Sequence, residues 1–211
     1  MKLDKKTIDQ LAEHLENAEL GAHDVTKITD DYPDMDWDDA YAIQDEIRRR
    51  KEARGNRTAG LKCGLTSFAK MKQMGVENPV FGFVSDYMAR PDGGEIKLSE
   101  LIHPKVEAEI CIVTKAPLRG PGCHVGTVMA AVDFVVPAVE VIDSRYRDFK
   151  FDLKSVIADN TSSSRFVIGG RPRDLDELDL RTLGVVLEIN GEAKTMAAGA
   201  AVLGHPLAAV A

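Results

Sequence analysis

The chain has 211 residues, 44% of them hydrophobic and 29% charged, with a net charge of −7. That suffices for one substantial globular domain, and the acidic balance weighs against nucleic acid or an anionic membrane as partner. No apolar run reaches the roughly 18 residues that span a bilayer, the start Met1-Lys2-Leu3-Asp4-Lys5-Lys6 lacks the apolar core of a signal peptide, and Cys63, Cys111 and Cys123 lack metal or CxxC spacing, which fits reduced thiols in the cytoplasm.

Residues 5 to 20 read as a helix, because Ile8, Leu11, Ala12 and Leu15 recur at helical spacing. Thr26 to Asp36 is polar, holds Pro33 and reads as a loop. A second helix is predicted over about 37 to 54, with Asp36 as N-cap, Asp38 and Asp39 in the first turn, Arg48 to Lys51 in the last and Gly55 as stop. The pair reads as a scaffold or an oligomer surface without chemistry of its own.

Gly60 to Thr66 reads as a short strand bracketed by glycines, with Lys62 between Leu61 and Cys63. It is not a phosphate loop, since GxxxxGK[ST] is absent. A mid-strand lysine normally faces water; the other reading is a catalytic lysine whose proton affinity is lowered by burial and a nearby metal. Residues 66 to 74 read as a helix holding Ala69, Met71 and Met74, and Gly75 ends it. Pro79 to Val84 reads as a strand, Pro91 to Gly94 as a turn and Glu95 to Leu98 as a further strand.

The stretch from His103 to Arg145 carries the chemistry. Both of its ends, 103–113 and 135–145, are rich in β-branched residues and read as strands. Successive strand side chains alternate in face, so Glu107 and Glu109 share one face while Val106, Ala108 and Ile110 share the other. Buried carboxylates on one face are costly and repel each other unless a cation binds them. Glu140, between Val139 and Val141, is expected to point into the core. Three carboxylates suit a hard, oxygen-seeking ion such as Mg²⁺ or Mn²⁺; the bland alternative is the solvated face of an edge strand. Val125 to Ala131 is expected to be a helix between the two strands.

Ser144 to Phe151, dense in charge and aromatics, reads as a surface loop. The polar run Ile157 to Ser164 reads as a turn or helix cap, or else as the lining of a pocket for carboxylates. Phe166 to Gly170 and Leu183 to Glu192 are predicted strands, with Asn190-Gly191 as a hairpin turn. His205, before Pro206, reads as a helix-entry residue. The whole is expected to be α+β: two N-terminal helices, 1–58, then a β-rich core, 59–211, with a mixed, strongly bent sheet.

In combination, Gly60-Leu61-Lys62-Cys63-Gly64-Leu65-Thr66-Ser67, Met74-Gly75-Val76, Phe81-Gly82, Val106-Glu107-Ala108-Glu109, Pro137 to Arg145, Ala158 to Ser162 and Gly199 to Pro206 resemble the fumarylacetoacetate hydrolase superfamily. The resemblance is to its branch of 2-oxopent-4-enoate hydratases and 4-oxalocrotonate decarboxylases. It implies a β-roll or barrel-like sheet, Mg²⁺ or Mn²⁺ on Glu107, Glu109 and Glu140, and Lys62 as acid/base or substrate-carboxylate partner. It also implies Leu61, Val80 and Ser162 against a small 2-oxo dicarboxylic acid. Homo-oligomers, possible association with a related hydratase, and a core short of the family's C-terminal part follow from the same resemblance. Hydratases of the branch carry Asp where this chain has Val80, which points to decarboxylation of 2-oxohex-3-enedioate over hydration of 2-hydroxypenta-2,4-dienoate or a non-catalytic partner role.

Overall fold

The computed structural model describes residues 1–211, the side chain of Met74 excepted, so the expectation for that side chain lies outside the described residues. The fold is α+β. It divides into two compact units, the first made of residues 1–62, 81–106 and 141–166, the second of 63–80, 107–140 and 167–211. The expected helical region, 1–58, lies within the first unit.

Helices α1 (Lys5–Leu20) and α2 (Trp37–Ala53) form where their caps and periodicity place them. Asp4 caps Thr7 N, and Asp36 with Asp39 makes a reciprocal capping box. Asp39 is fully buried because it also accepts bonds from Lys2 N and Leu3 N. Their apolar stripes, Ile8, Leu11, Leu15 and Ala40, Ile43, Ile47, are buried. Beside them Glu16 takes a 2.7 Å bond from Arg50 Nε and one from Arg54. Burial alone would raise the Glu16 carboxyl, but these bonds and the charge of Lys51 outweigh it and hold it below its usual 4.5. A depressed carboxyl stabilises the fold fully above its unfolded value and loses that contribution as pH falls through the folded one. Glu16→Gln is therefore expected to cost about 3 kcal/mol near neutrality. In urea unfolding at a series of pH values, the gap to the parent chain should narrow as pH falls below 4.5.

Strands β1 (Thr58–Gly64) and β2 (Val80–Ser85) pair as a two-stranded sheet, with helix α3 (Phe68–Met74) between them in sequence. A four-stranded sheet follows the order β3 (Ala89–Arg90), β6 (Ser163–Ile168), β5 (Val132–Asp143), β4 (Pro104–Thr114). Helix α4 (Val125–Ala131) precedes β5, and α5 (Leu153–Ala158) precedes β6. Strands β7 (Gly184–Ile189) and β8 (Glu192–Ala198) form an antiparallel hairpin. Asn190 and Gly191 turn it at φ 54° and 79°, as a tight primed turn requires. In the second unit, Val128, Val132, Val135, Leu180 and Leu207 pack into one core. His205 caps the short terminal helix by accepting Leu207 N. Among the described residues no helix is long and apolar enough to cross a membrane.

Two expectations are corrected. Glu95 to Leu98 is not a strand; residues 98–100 form a 3₁₀ turn and Leu98 is 72% exposed, so no apolar face drives pairing there. The stretch from Ser144 is not a surface loop at its start: Ser144, Arg145 and Tyr146 are buried, because their polar groups find partners inside. Of the two readings left open for β4, the structure takes the edge strand. It closes one end of the sheet order, and Val106 on its apolar face is 45% exposed.

Candidate metal and substrate site

In the second unit, β4 and β5 present three glutamates to one another. Glu107 and Glu109 lie two residues apart on β4 and so share a face. Glu140 comes from β5, buried at 7% exposure. One carboxylate oxygen from each lies within 4.8 Å of the other two. Glu107 is exposed, so the cluster runs from solvent into the interior. Converging carboxylates repel, and an all-oxygen donor set of this span fits a hard divalent cation. Glu107, Glu109 and Glu140 are the residues that could hold one. Val80, at the end of the same unit's 63–80 segment, is buried at 2%, its Cγ2 3.3 Å from where a Cβ on Gly64 would stand.

The first unit holds the other expected residues. On β1 the alternation is the reverse of the ordinary one: Leu61 is 77% exposed, and Lys62 is half-buried. Lys62 Nζ donates to the carbonyl of Thr161 at 3.1 Å. Ser162, next along, is buried, and so are Asp159, Asn160, Thr161, Ser163 and Ser164. The polar run is thus a packed interior turn between α5 and β6. It is tolerable there because its charges and amides are paired. Arg145 is buried against Asp159: its Nε bonds the carboxylate, its backbone N donates to Asp159 Oδ2 at 3.2 Å, and its Nη1 reaches the carbonyls of Asp143 and Ser163 at 2.8 and 2.9 Å. Burial works against the Arg145 charge, but Asp159 and Glu19 outweigh it and raise its proton affinity further. Gln44 of α2 ties the turn's approach in place, donating to Ile157 O and to Phe81 O, each at 2.9 Å. The hydroxyls of Thr161 and Ser162 are buried with no hydrogen-bond partner among the described residues. Such groups call for water or a ligand.

Sequence reasoning passed over Arg145, Asp159 and Asn160 as individual side chains. The signals were the density of polar residues from Asp159 to Ser164, which also fits an ordinary turn, and the place of Arg145, Asp159 and Asn160 inside two of the segments that carry the family resemblance.

No family model matches the chain. It is 65% identical over 209 residues to a 4-oxalocrotonate decarboxylase of Pseudomonas putida, covering 99% of this chain and 79% of that relative. It is 38% identical over 210 residues to a 2-hydroxypent-2,4-dienoate hydratase of Pseudomonas putida, covering 99% of this chain and 95% of the relative. The solved structure of 4-oxalocrotonate decarboxylase from Pseudomonas putida G7, complexed with magnesium and adipate, matches with a TM-score of 0.96 at 64% identity, over 98% of this chain and 79% of that one. A second structure of that protein, complexed with calcium and acetate, matches with a TM-score of 0.94 at 62% identity, over 98% and 78% of the two chains.

Proposed function

Because the chain belongs to the branch of the fumarylacetoacetate hydrolase superfamily that holds the 4-oxalocrotonate decarboxylases and their related hydratases, we propose that it is a carboxy-lyase. Its reaction converts 2-oxohex-3-enedioate to 2-hydroxypenta-2,4-dienoate and CO₂, in the meta-cleavage breakdown of aromatic compounds. The observation that carries this reading is the convergence of Glu107, Glu109 and Glu140 within 4.8 Å. Adipate, present in the relative's structure, is a six-carbon dicarboxylate like the proposed substrate, which supports the assignment.

The distal carboxylate of the substrate is a vinylogous β-keto acid. As its bond to carbon breaks, the electron pair runs through the double bond to the 2-oxygen, and a proton there completes the enol. Mg²⁺ or Mn²⁺ held by Glu107, Glu109 and Glu140 would supply a Lewis acid for that developing charge. Lys62 orients a substrate carboxylate or moves the proton. Ser162 offers its buried hydroxyl to the substrate, and Leu61 gives an apolar contact. Val80 denies water a proton acceptor and keeps the surroundings apolar, which favours dispersing a localised carboxylate charge.

The test is a comparison of two rates: CO₂ release from 2-oxohex-3-enedioate, and conversion of 2-hydroxypenta-2,4-dienoate to its 4-hydroxy-2-oxo acid. Faster hydration would replace the decarboxylase reading by the hydratase one. Bound metal with neither activity would make the chain a non-catalytic partner. Val80→Asp should depress CO₂ release roughly 10-fold or more, since it sets an extra carboxylate in a buried apolar position, and slow hydration should appear. We also propose a cytoplasmic homo-oligomer that can form a complex with a related hydratase. Exposed apolar side chains such as Phe68, Met129 and Met196 support assembly.

A further inference from the structure

Asn160, Thr161 and Ser162 follow one another at φ 50°, 50° and 59°. Left-handed backbone costs a residue with a Cβ about 1–2 kcal/mol, so three in succession persist only where their surroundings hold them. Two devices hold these. The carboxamide of Asn160 takes the place of a neighbouring strand beside β2: its Oδ1 accepts Phe83 N at 2.9 Å and its Nδ2 donates to Phe83 O at 2.9 Å. Arg145 grips both flanks of the turn, through the carbonyls of Asp159 and Ser163. Gly82 permits the close approach, since a Cβ there would stand 2.4 Å from Thr161 Oγ1 and 2.9 Å from Asn160 Oδ1.

The left-handed turn has a chemical consequence. It aims the carbonyl of Thr161 at Lys62 Nζ, 3.1 Å away, and it leaves the hydroxyls of Thr161 and Ser162 buried without a partner among the described residues. A right-handed backbone at these positions would point that carbonyl elsewhere. We propose that Asn160 is a positioning residue: its two-bond bridge to Phe83 fixes the turn, and through the Thr161 carbonyl the turn fixes the direction of the Lys62 ammonium. The inference rests on the catalytic role proposed above for Lys62.

The test measures CO₂ release and Mg²⁺ binding for Asn160→Ala, Asn160→Gly, Lys62→Met and the Asn160→Ala/Lys62→Met double variant. Asn160→Ala should lower kcat/KM roughly 10- to 100-fold with Mg²⁺ affinity unchanged. In the Lys62→Met background the same change should cost less than about twofold, because nothing is left to aim. Glycine takes left-handed backbone without strain but cannot make the bridge, so Asn160→Gly should fall as far as the alanine variant. Recovery of the parent rate by glycine would reduce Asn160 to strain relief and overturn the proposal. So would losses that simply multiply in the double variant. Should Asn160→Ala lose its tertiary circular dichroism, the glycine variant carries the same comparison. Loss of fold in both would assign Asn160 to the scaffold. Near-normal turnover by Lys62→Met alone would instead sink the role of Lys62, an outcome separate from any failure of Asn160.

Discussion

Glu140→Gln is expected to weaken Mg²⁺ binding by about 10²-fold or more and to lower CO₂ release in parallel. Each of the three glutamates offers an oxygen within 4.8 Å of the other two. At that separation and an effective dielectric of about 20, each pair of charges repels by roughly 3 kcal/mol. Exposure of Glu107 screens part of this. A bound dication turns the repulsion into attraction, and the strength of that attraction depends on the number of charged donors. Glutamine keeps the shape and removes one charge from the most buried member. The same substitution should have the opposite sign on the metal-free protein, raising its melting temperature by relieving repulsion. Calorimetric Mg²⁺ titration and thermal melts with and without chelator measure both effects. A variant that binds Mg²⁺ like the parent would show that Glu140 is not a ligand.

Lys62→Met should reduce turnover by about 10²- to 10⁴-fold while Mg²⁺ still binds. Methionine preserves much of the stem and removes the ammonium, so packing on β1 is little disturbed. The loss falls on the charge that the structure holds against the Thr161 carbonyl. Parallel measurements of Mg²⁺ affinity and of kcat and KM for CO₂ release separate this role from that of the glutamates. Turnover within a few-fold of the parent would return Lys62 to an ordinary strand lysine.

Local rules carried the helices. The Asp4 and Asp36/Asp39 caps and the spacing of Ile8, Leu11 and Leu15 lie within a few residues of one another, and the structure keeps them. The Asn190-Gly191 hairpin is local in the same sense. The carboxylate cluster was legible for a related reason. The two-residue period of a strand puts Glu107 and Glu109 on one face, and the apolar neighbours of Glu140 mark it as inward-facing. What failed depended on partners distant in sequence. Nothing near Glu95 to Leu98 says that no strand will pair with it. Arg145 looks like a surface charge until Asp159 is folded against it. Asn160 looks like a turn residue until its amide meets Phe83, 77 positions earlier in the chain.

By itself, then, the sequence determined the helices and the hairpin and, through the pattern of its motifs, the superfamily and the trio Glu107, Glu109 and Glu140. These rest on periodicity, capping and residue chemistry, which act over one to four positions or recur as fixed words. Only the tertiary structure decided which of the polar groups between Ser144 and Ser164 are interior. It buried the run from Asp159 to Ser164, left Val106 exposed on an edge strand, and held three residues in left-handed backbone against their own preference. Burial of a polar group is settled by whether a partner arrives to satisfy it, and that partner is chosen by the fold, not by the neighbours in the chain.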